Sequence, residues 1–168
     1  MKHNIIYVDD DENLLKSFRR LLSSEDLNVF TFTNPNDALN FREADNVAVI
    51  LSDFKMPLMN GVEFLQQFKI KYPDAVRILV TAYSDVHITM DAINKGEVYR
   101  YISKPWKNEE IRILIKQSIQ LYEIKKENER LQKLTQNQLQ ELKELNQTLE
   151  KKVEEKTKEI IEKNVVLE

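Results

Sequence analysis

Asp9 and Asp10, Asp53, Thr81 and Lys104 are spread over nearly a hundred residues, yet each follows directly on a short run rich in Val, Ile, Leu or Tyr. If those runs are strands ending at one edge of a sheet, three carboxylates, a hydroxyl and an ammonium gather there. Three acids held together repel one another and take up a proton or a cation, and a set of oxygen ligands suits a hard ion such as magnesium, with manganese as an alternative. A magnesium ion on Asp10 and Asp53 would leave coordination positions open to a phosphoryl group, two of whose oxygens Lys104 and the Thr81 hydroxyl could hold. Phosphoryl transfer asks a protein mainly for positioning and charge stabilisation. Asp53 is the expected nucleophile, because a carboxylate can form an acyl phosphate; the weaker alternative makes it a metal ligand only. The chain has no Cys, and its two histidines, His3 and His87, are expected at a terminus and on a helix surface.

The elements that must position these residues follow from the apolar pattern. Residues 4–8, 27–32, 47–52, 75–80 and 98–103 read as strands, most of them continuous apolar runs of the kind buried on both faces of a sheet. Between them, Leu14, Leu15, Phe18, Leu21 and Leu22, then Ala38, Leu39 and Phe41, then Val62, Leu65, Phe68 and Lys69, then Ile88, Ala92 and Ile93 have helical spacing. Asn34 before Pro35 reads as an N-cap with proline at the first helical position, and Gly96 as a left-handed cap. Strands alternating with helices imply an α/β fold with a parallel sheet, right-handed crossovers and helices on both faces. In such a sheet, sites form beyond the carboxyl ends of the strands, where the strand order switches.

Four motifs now stand in order: Val8-Asp9-Asp10-Asp11-Glu12, Leu51-Ser52-Asp53-Phe54-Lys55-Met56-Pro57 with Asn60-Gly61, Val80-Thr81-Ala82, and Ser103-Lys104-Pro105-Trp106. Each alone is weak, but together, each after an expected strand, they are specific. Over about residues 1 to 120 the chain closely resembles the receiver domain of two-component response regulators. The resemblance implies a doubly wound sheet of order 2-1-3-4-5 and a phosphoryl group passed from a partner histidine kinase to Asp53. It implies magnesium on Asp10, Asp53 and the Lys55 backbone carbonyl, with Asp9 orienting the metal's water ligands. It also implies a cis bond before Pro105, and a switch in which a phosphoryl group draws Thr81 inward and Tyr101 turns in behind it. By the same resemblance Lys55 and Tyr83, two residues after the phosphoacceptor and the threonine, would flank the path of a hydrolytic water. Both are bulky, so the phosphorylated state should outlast that of a receiver with small residues there, and Tyr83→Ala should speed dephosphorylation.

From Asn108 to Glu168 there is no Pro and no Gly, and strong helix formers dominate. One helix is expected from near Trp106 almost to the end, on the order of 90 Å long at about 1.5 Å per residue. Its start, with Ile111, Leu114, Ile115 and Ile119, should pack on the sheet as the final receiver helix. Over 121–168, Leu121, Ile124, Asn128, Leu131, Thr135, Leu139, Leu142, Asn146, Leu149, Val153, Lys156, Ile160, Lys163 and Leu167 are spaced by threes and fours, as in a coiled-coil seam. The two consecutive fours at Leu131, Thr135 and Leu139 mark a stutter. Val153, Ile160 and Asn146 at a with Leu142 and Leu149 at d favour a parallel homodimer.

Residues 107–168 hold 13 Lys plus Arg and 13 Glu, leaving 12 basic and 15 acidic residues, a net charge of −3, in the rest. That balance gives no nucleic-acid footprint, and the tail has no helix-turn-helix pattern and no histidine to serve as a kinase phosphoacceptor. No apolar stretch is long enough to span a membrane and no signal peptide opens the chain, so a cytoplasmic location is expected. The chain is expected to catalyse only its own phosphorylation and dephosphorylation. Residues 149–160 resemble the linkers that join receivers to catalytic domains in bacterial regulators, which would place an effector beyond Glu168. The alternative is a stand-alone receiver adaptor that binds a partner protein through the coiled coil or through Tyr99, Tyr101 and Trp106. The genomic sequence past Glu168 separates the two.

Overall fold

The computed structural model describes residues 2–42, 46–82 and 98–165. In chain order its elements are β1 (His3–Val8), α1 (Glu12–Leu21), β2 (Leu27–Phe32), α2 (Pro35–Asn40), β3 (Val47–Asp53), α3 (Gly61–Lys71), β4 (Val76–Ala82), β5 (Arg100–Lys104) and α4 (Asn108–Val165). The five strands form one parallel sheet in the order β2-β1-β3-β4-β5. The helix expected around Ile88, Ala92 and Ile93, its Gly96 cap, His87 and Tyr83 lie outside the described residues.

Alternation along the strands divides the core in two. Ile5, Tyr7, Val49, Leu51, Ile78 and Val80 meet Leu15 and Phe18 of α1 and Ile111, Leu114 and Ile115 of α4 on one face. On the other, Ile6, Val8, Ile50 and Leu79 meet Ala38 of α2 and Phe64, Leu65 and Phe68 of α3. β3, central in the sheet, is buried at every position.

The helix starts follow from local chemistry. The Asp11 carboxylate accepts from the N–H groups of Asn13 and Leu14 and caps α1, and Asn34 accepts from Asn36 ahead of Pro35. At α3, Asn60 and Glu63 form a reciprocal capping box. Phe41, which helical spacing assigned to α2, lies one residue past it and packs its ring on Phe30 and Phe32. α2 ends because the Phe41 backbone is extended, and the aromatic contacts hold the side chain where another helical turn was expected.

The strand ends also differ from the apolar runs. Asp53, Thr81 and Lys104 are within strands, because ladder pairing continues through Asp53 with Val80, Thr81 with Ser103 and Ala82 with Lys104. Polar side chains fall outside an apolar run, but their backbones still pair.

The chain divides into two compact units, Met1–Lys125 and Lys126–Glu168. Leu121, counted above as the first seam residue, packs partly buried against the first unit's core, and Tyr122 beside it is buried. The apolar stripe of the second unit therefore begins further along α4. Among the described residues no helix is long and apolar enough to cross a membrane.

Candidate functional site

Asp9 follows β1, Asp53 ends β3 and Lys104 ends β5, so three strand ends deliver them to one edge of the sheet. Carboxylate oxygens of Asp9, Asp10 and Asp53 all lie within 4.8 Å of one another. The Lys104 ammonium bridges two of these acids, at 2.8 Å from Asp9 Oδ2 and 2.8 Å from Asp53 Oδ1. The period of two explains the meeting: Asp9 continues the face of Ile5 and Tyr7, Asp53 that of Val49 and Leu51, and Lys104 that of Ile102.

The three acids are held differently. Asp9 is fully buried, and both its oxygens are engaged: Oδ1 accepts from the Asp11 N–H at 2.9 Å, and Oδ2 from the Tyr7 hydroxyl at 2.5 Å as well as from Lys104. Asp10 is exposed, and among the described residues its carboxylate accepts no hydrogen bond. Asp53 is buried, with Oδ1 on Lys104. Burial pushes the Asp53 carboxyl above its ordinary pKa, and with the added charges of Asp9 and Asp10 the rise outlasts the hydrogen bond and charge of Lys104, which pull it down. For Lys104, burial favours loss of the proton, but Asp53 and Asp9 together outweigh it and raise its pKa. The Tyr7 hydroxyl is pushed far up, by burial first and by Asp9 next, so it stays a donor.

Tyr7 is the site residue that the motifs missed. A signal was present: a tyrosine in an otherwise aliphatic strand, two residues before an aspartate, must face the same way, and a buried hydroxyl needs a partner. Tyr7 also packs its ring on Phe18 and Trp106.

The donor set fits a hard divalent cation. Asp10 presents an open carboxylate and Asp53 is engaged through one oxygen, whereas Asp9 is committed to internal partners. Lys55 follows Asp53 by two and has an exposed side chain. The loop after Asp53 is fixed by backbone: Phe54 N–H donates to the Val80 carbonyl at 2.8 Å, and Gly61 N–H donates to the Phe54 carbonyl at 2.9 Å. Gly61 must be glycine, since a Cβ there would lie 2.1 Å from the Asp53 carbonyl oxygen.

Thr81 is buried on the opposite face of the sheet from Lys104, and its hydroxyl donates to the Ala82 carbonyl at 3.2 Å. Tyr101 is partly buried on that same face, paired in register with Leu79, and so sits diagonally across from Thr81. The Lys104–Pro105 bond is cis. A recess of about 380 Å³ lined by Leu14, Lys104, Pro105 and Trp106 adjoins the acidic cluster.

Residues 5–116 match the response regulator receiver domain family. The hydrogenase transcriptional regulatory protein HoxA of Bradyrhizobium diazoefficiens is 35% identical over 125 residues, which cover 74% of this chain and 26% of that protein. The chain thus spans about a quarter of the length of such curated relatives. Among solved structures, an adenylate cyclase from Rhodopirellula baltica superposes with a TM-score of 0.75 at 32% identity, covering 79% of this chain and 98% of that one. The signal receiver domain of an HD domain-containing protein from Pseudomonas fluorescens Pf-5 gives 0.69 at 30% identity, covering 75% and 93%.

Proposed function

The chain belongs to the response regulator receiver family, and from that premise we propose that Asp53 accepts a phosphoryl group from a phosphohistidine of a partner kinase and that α4 passes the change on as a parallel dimeric coiled coil. The observation that carries the first part is the meeting of three carboxylates within 4.8 Å, with Lys104 bridging Asp9 and Asp53.

An oxygen of Asp53 attacks phosphorus while the phosphorus–nitrogen bond of the donor breaks, and the histidine leaves neutral once it has gained a proton. β3 and the Gly61 contact hold the attacking carboxylate in place. Lys104 turns one of its charge-assisted bonds from Asp53 to a phosphoryl oxygen and keeps Asp9. Asp9, fixed by Tyr7 and the Asp11 N–H, remains the second partner of that ammonium. Asp10, Asp53 and the Lys55 carbonyl would hold magnesium, which when bound neutralises charge on the phosphoryl oxygens. Thr81 exchanges its bond to Ala82 for one to the phosphoryl group, and the space it vacates on that face lets Tyr101 turn inward. Lys55 and Tyr83 slow the water that would hydrolyse the acyl phosphate to the Asp53 carboxylate and inorganic phosphate.

Incubation with a small-molecule phosphodonor and magnesium should add one phosphoryl group per chain, acid-stable and alkali-labile as an acyl phosphate is. Asp53→Ala should abolish the labelling while leaving the fold intact. Labelling that persists in that variant would move the nucleophile elsewhere.

A further inference from the structure

Large apolar side chains of the second unit recur along α4 at intervals of 11. Leu131, Leu142 and Val153 are one such series, Leu134 and Leu145 a second, Leu149 and Ile160 a third, and all are between 45% and 64% exposed. A fourth series, Thr135, Asn146 and Thr157, is polar and keeps the same interval. Eleven residues in three turns is 3.67 per turn, close to the natural pitch of an α-helix, so these series stay on one face without the drift of a heptad.

We infer that this three-repeat stripe, from Leu131 to Lys163, is the pairing surface of the second unit, and that it takes a second copy of this chain, parallel and in register. The inference rests on the dimeric reading above and replaces its heptad seam: Leu134 and Leu145 enter the core and Leu139 moves to the flank.

Three features favour a second copy over any other occupant. Thr135 and Thr157 each donate the hydroxyl back to the carbonyl four residues earlier, at 2.9 and 2.7 Å, so each has its hydrogen bond satisfied within its own helix and can be covered. Asn146, between them, makes no side-chain hydrogen bond among the described residues, and an in-register copy brings its own Asn146 amide opposite. Glu150 and Lys152 lie on opposite flanks of the stripe two residues apart. A parallel pair therefore sets Glu150 of each copy beside Lys152 of the other. Lys156 interrupts the second series in the last repeat, where its ammonium pairs with Glu159 at 2.7 Å and its stem can cover the stripe.

Because the chain contains no Cys, single substitutions Leu134→Cys, Leu145→Cys and Leu139→Cys in the full chain report the seam directly. Under mild oxidation the first two should form interchain disulfides at least about 10 times faster than the third. Sedimentation of Leu145→Glu should show a dissociation constant raised about 100-fold, as expected for a charge placed in an apolar seam, and Leu139→Glu a change within about threefold. Faster cross-linking at Leu139, or equal rates at all three positions, overturns the 11-residue repeat while leaving the dimer standing. A monomeric mass with no cross-linking at any position overturns the dimer itself, and the repeat with it.

Discussion

The two units of this chain solve the same problem in opposite ways. In residues 1–125 the apolar side chains find one another across a sheet covered on both faces, and β3 is buried along its whole length. In residues 126–168 the apolar side chains are as regularly spaced, yet Leu131, Leu142 and Val153 stay about half exposed. A sheet with crossover helices can bury its own surface. A single helix, whose apolar stripe has only one side to offer, cannot bury that stripe against itself. The difference teaches where each unit's specificity is stored: in the first, in packing around a polar cluster; in the second, on the pairing proposed above, in the period of a repeat.

The sharpest way to break the first side of that comparison is Gly61→Ala. Its added methyl meets backbone of β3, which cannot rotate aside, so the first unit should lose about 3 kcal/mol or more, measured by denaturant unfolding. A loss under about 1 kcal/mol would mean the α3 start can slide off the Asp53 strand. For the second unit the matching change is Leu142→Asp, at a position common to the heptad and the 11-residue readings. Self-association should weaken about 100-fold, while the unfolding midpoint of the receiver moves by less than about 1 °C; a receiver that unfolds earlier would show that the units are not energetically separate.

Two smaller effects refine the site. Tyr7→Phe keeps the ring against Phe18 and Trp106 but removes a donor from buried Asp9, and should cost about 1–2 kcal/mol, read by thermal unfolding in the absence of divalent cations. An unchanged midpoint would show that Lys104 and the Asp11 N–H suffice to hold Asp9. Asp53→Asn should stabilise the metal-free protein, because the folded-state pKa of Asp53 is raised above its unfolded value. Its ionised form therefore costs stability in full above the folded pKa, and nothing below the ordinary carboxylate range, where both states are protonated. The gain should be a few degrees in Tm at pH 7 and should vanish near pH 3. A gain that grows as the pH falls has the wrong sign for this account.

Much of the site was legible because its residues sit at strand ends, and strand ends are where apolar runs stop. Asp9, Asp10, Asp53 and Lys104 could be placed together from three short motifs without any distance being known. Tyr7 escaped because it looks like one more core residue until its hydroxyl is traced to Asp9. Phe41 was misplaced because aromatic packing on β2 overrides helical spacing that was itself only three residues deep. Leu134 and Leu145 fall outside the heptad seam with its single stutter, and the 11-residue pairing proposed above takes them in. Their equal exposure beside Leu131 and Leu142 brought out the longer period.

By itself the sequence determined the order of the described elements, the parallel sheet, the polar edge and a helix without a breaker, since all of these depend on local pattern and periodicity. Only the tertiary structure decided which acid is bound internally and which stands open: Asp9 and Asp10 are adjacent in the chain, but one points into the sheet edge toward Tyr7 and Lys104 and the other into solvent. It likewise decided that Leu121 belongs to the receiver core. The physical reason is the same in both cases. Burial and charge pairing depend on what the fold brings up to a side chain from elsewhere in the chain, and spacing along the chain does not record that.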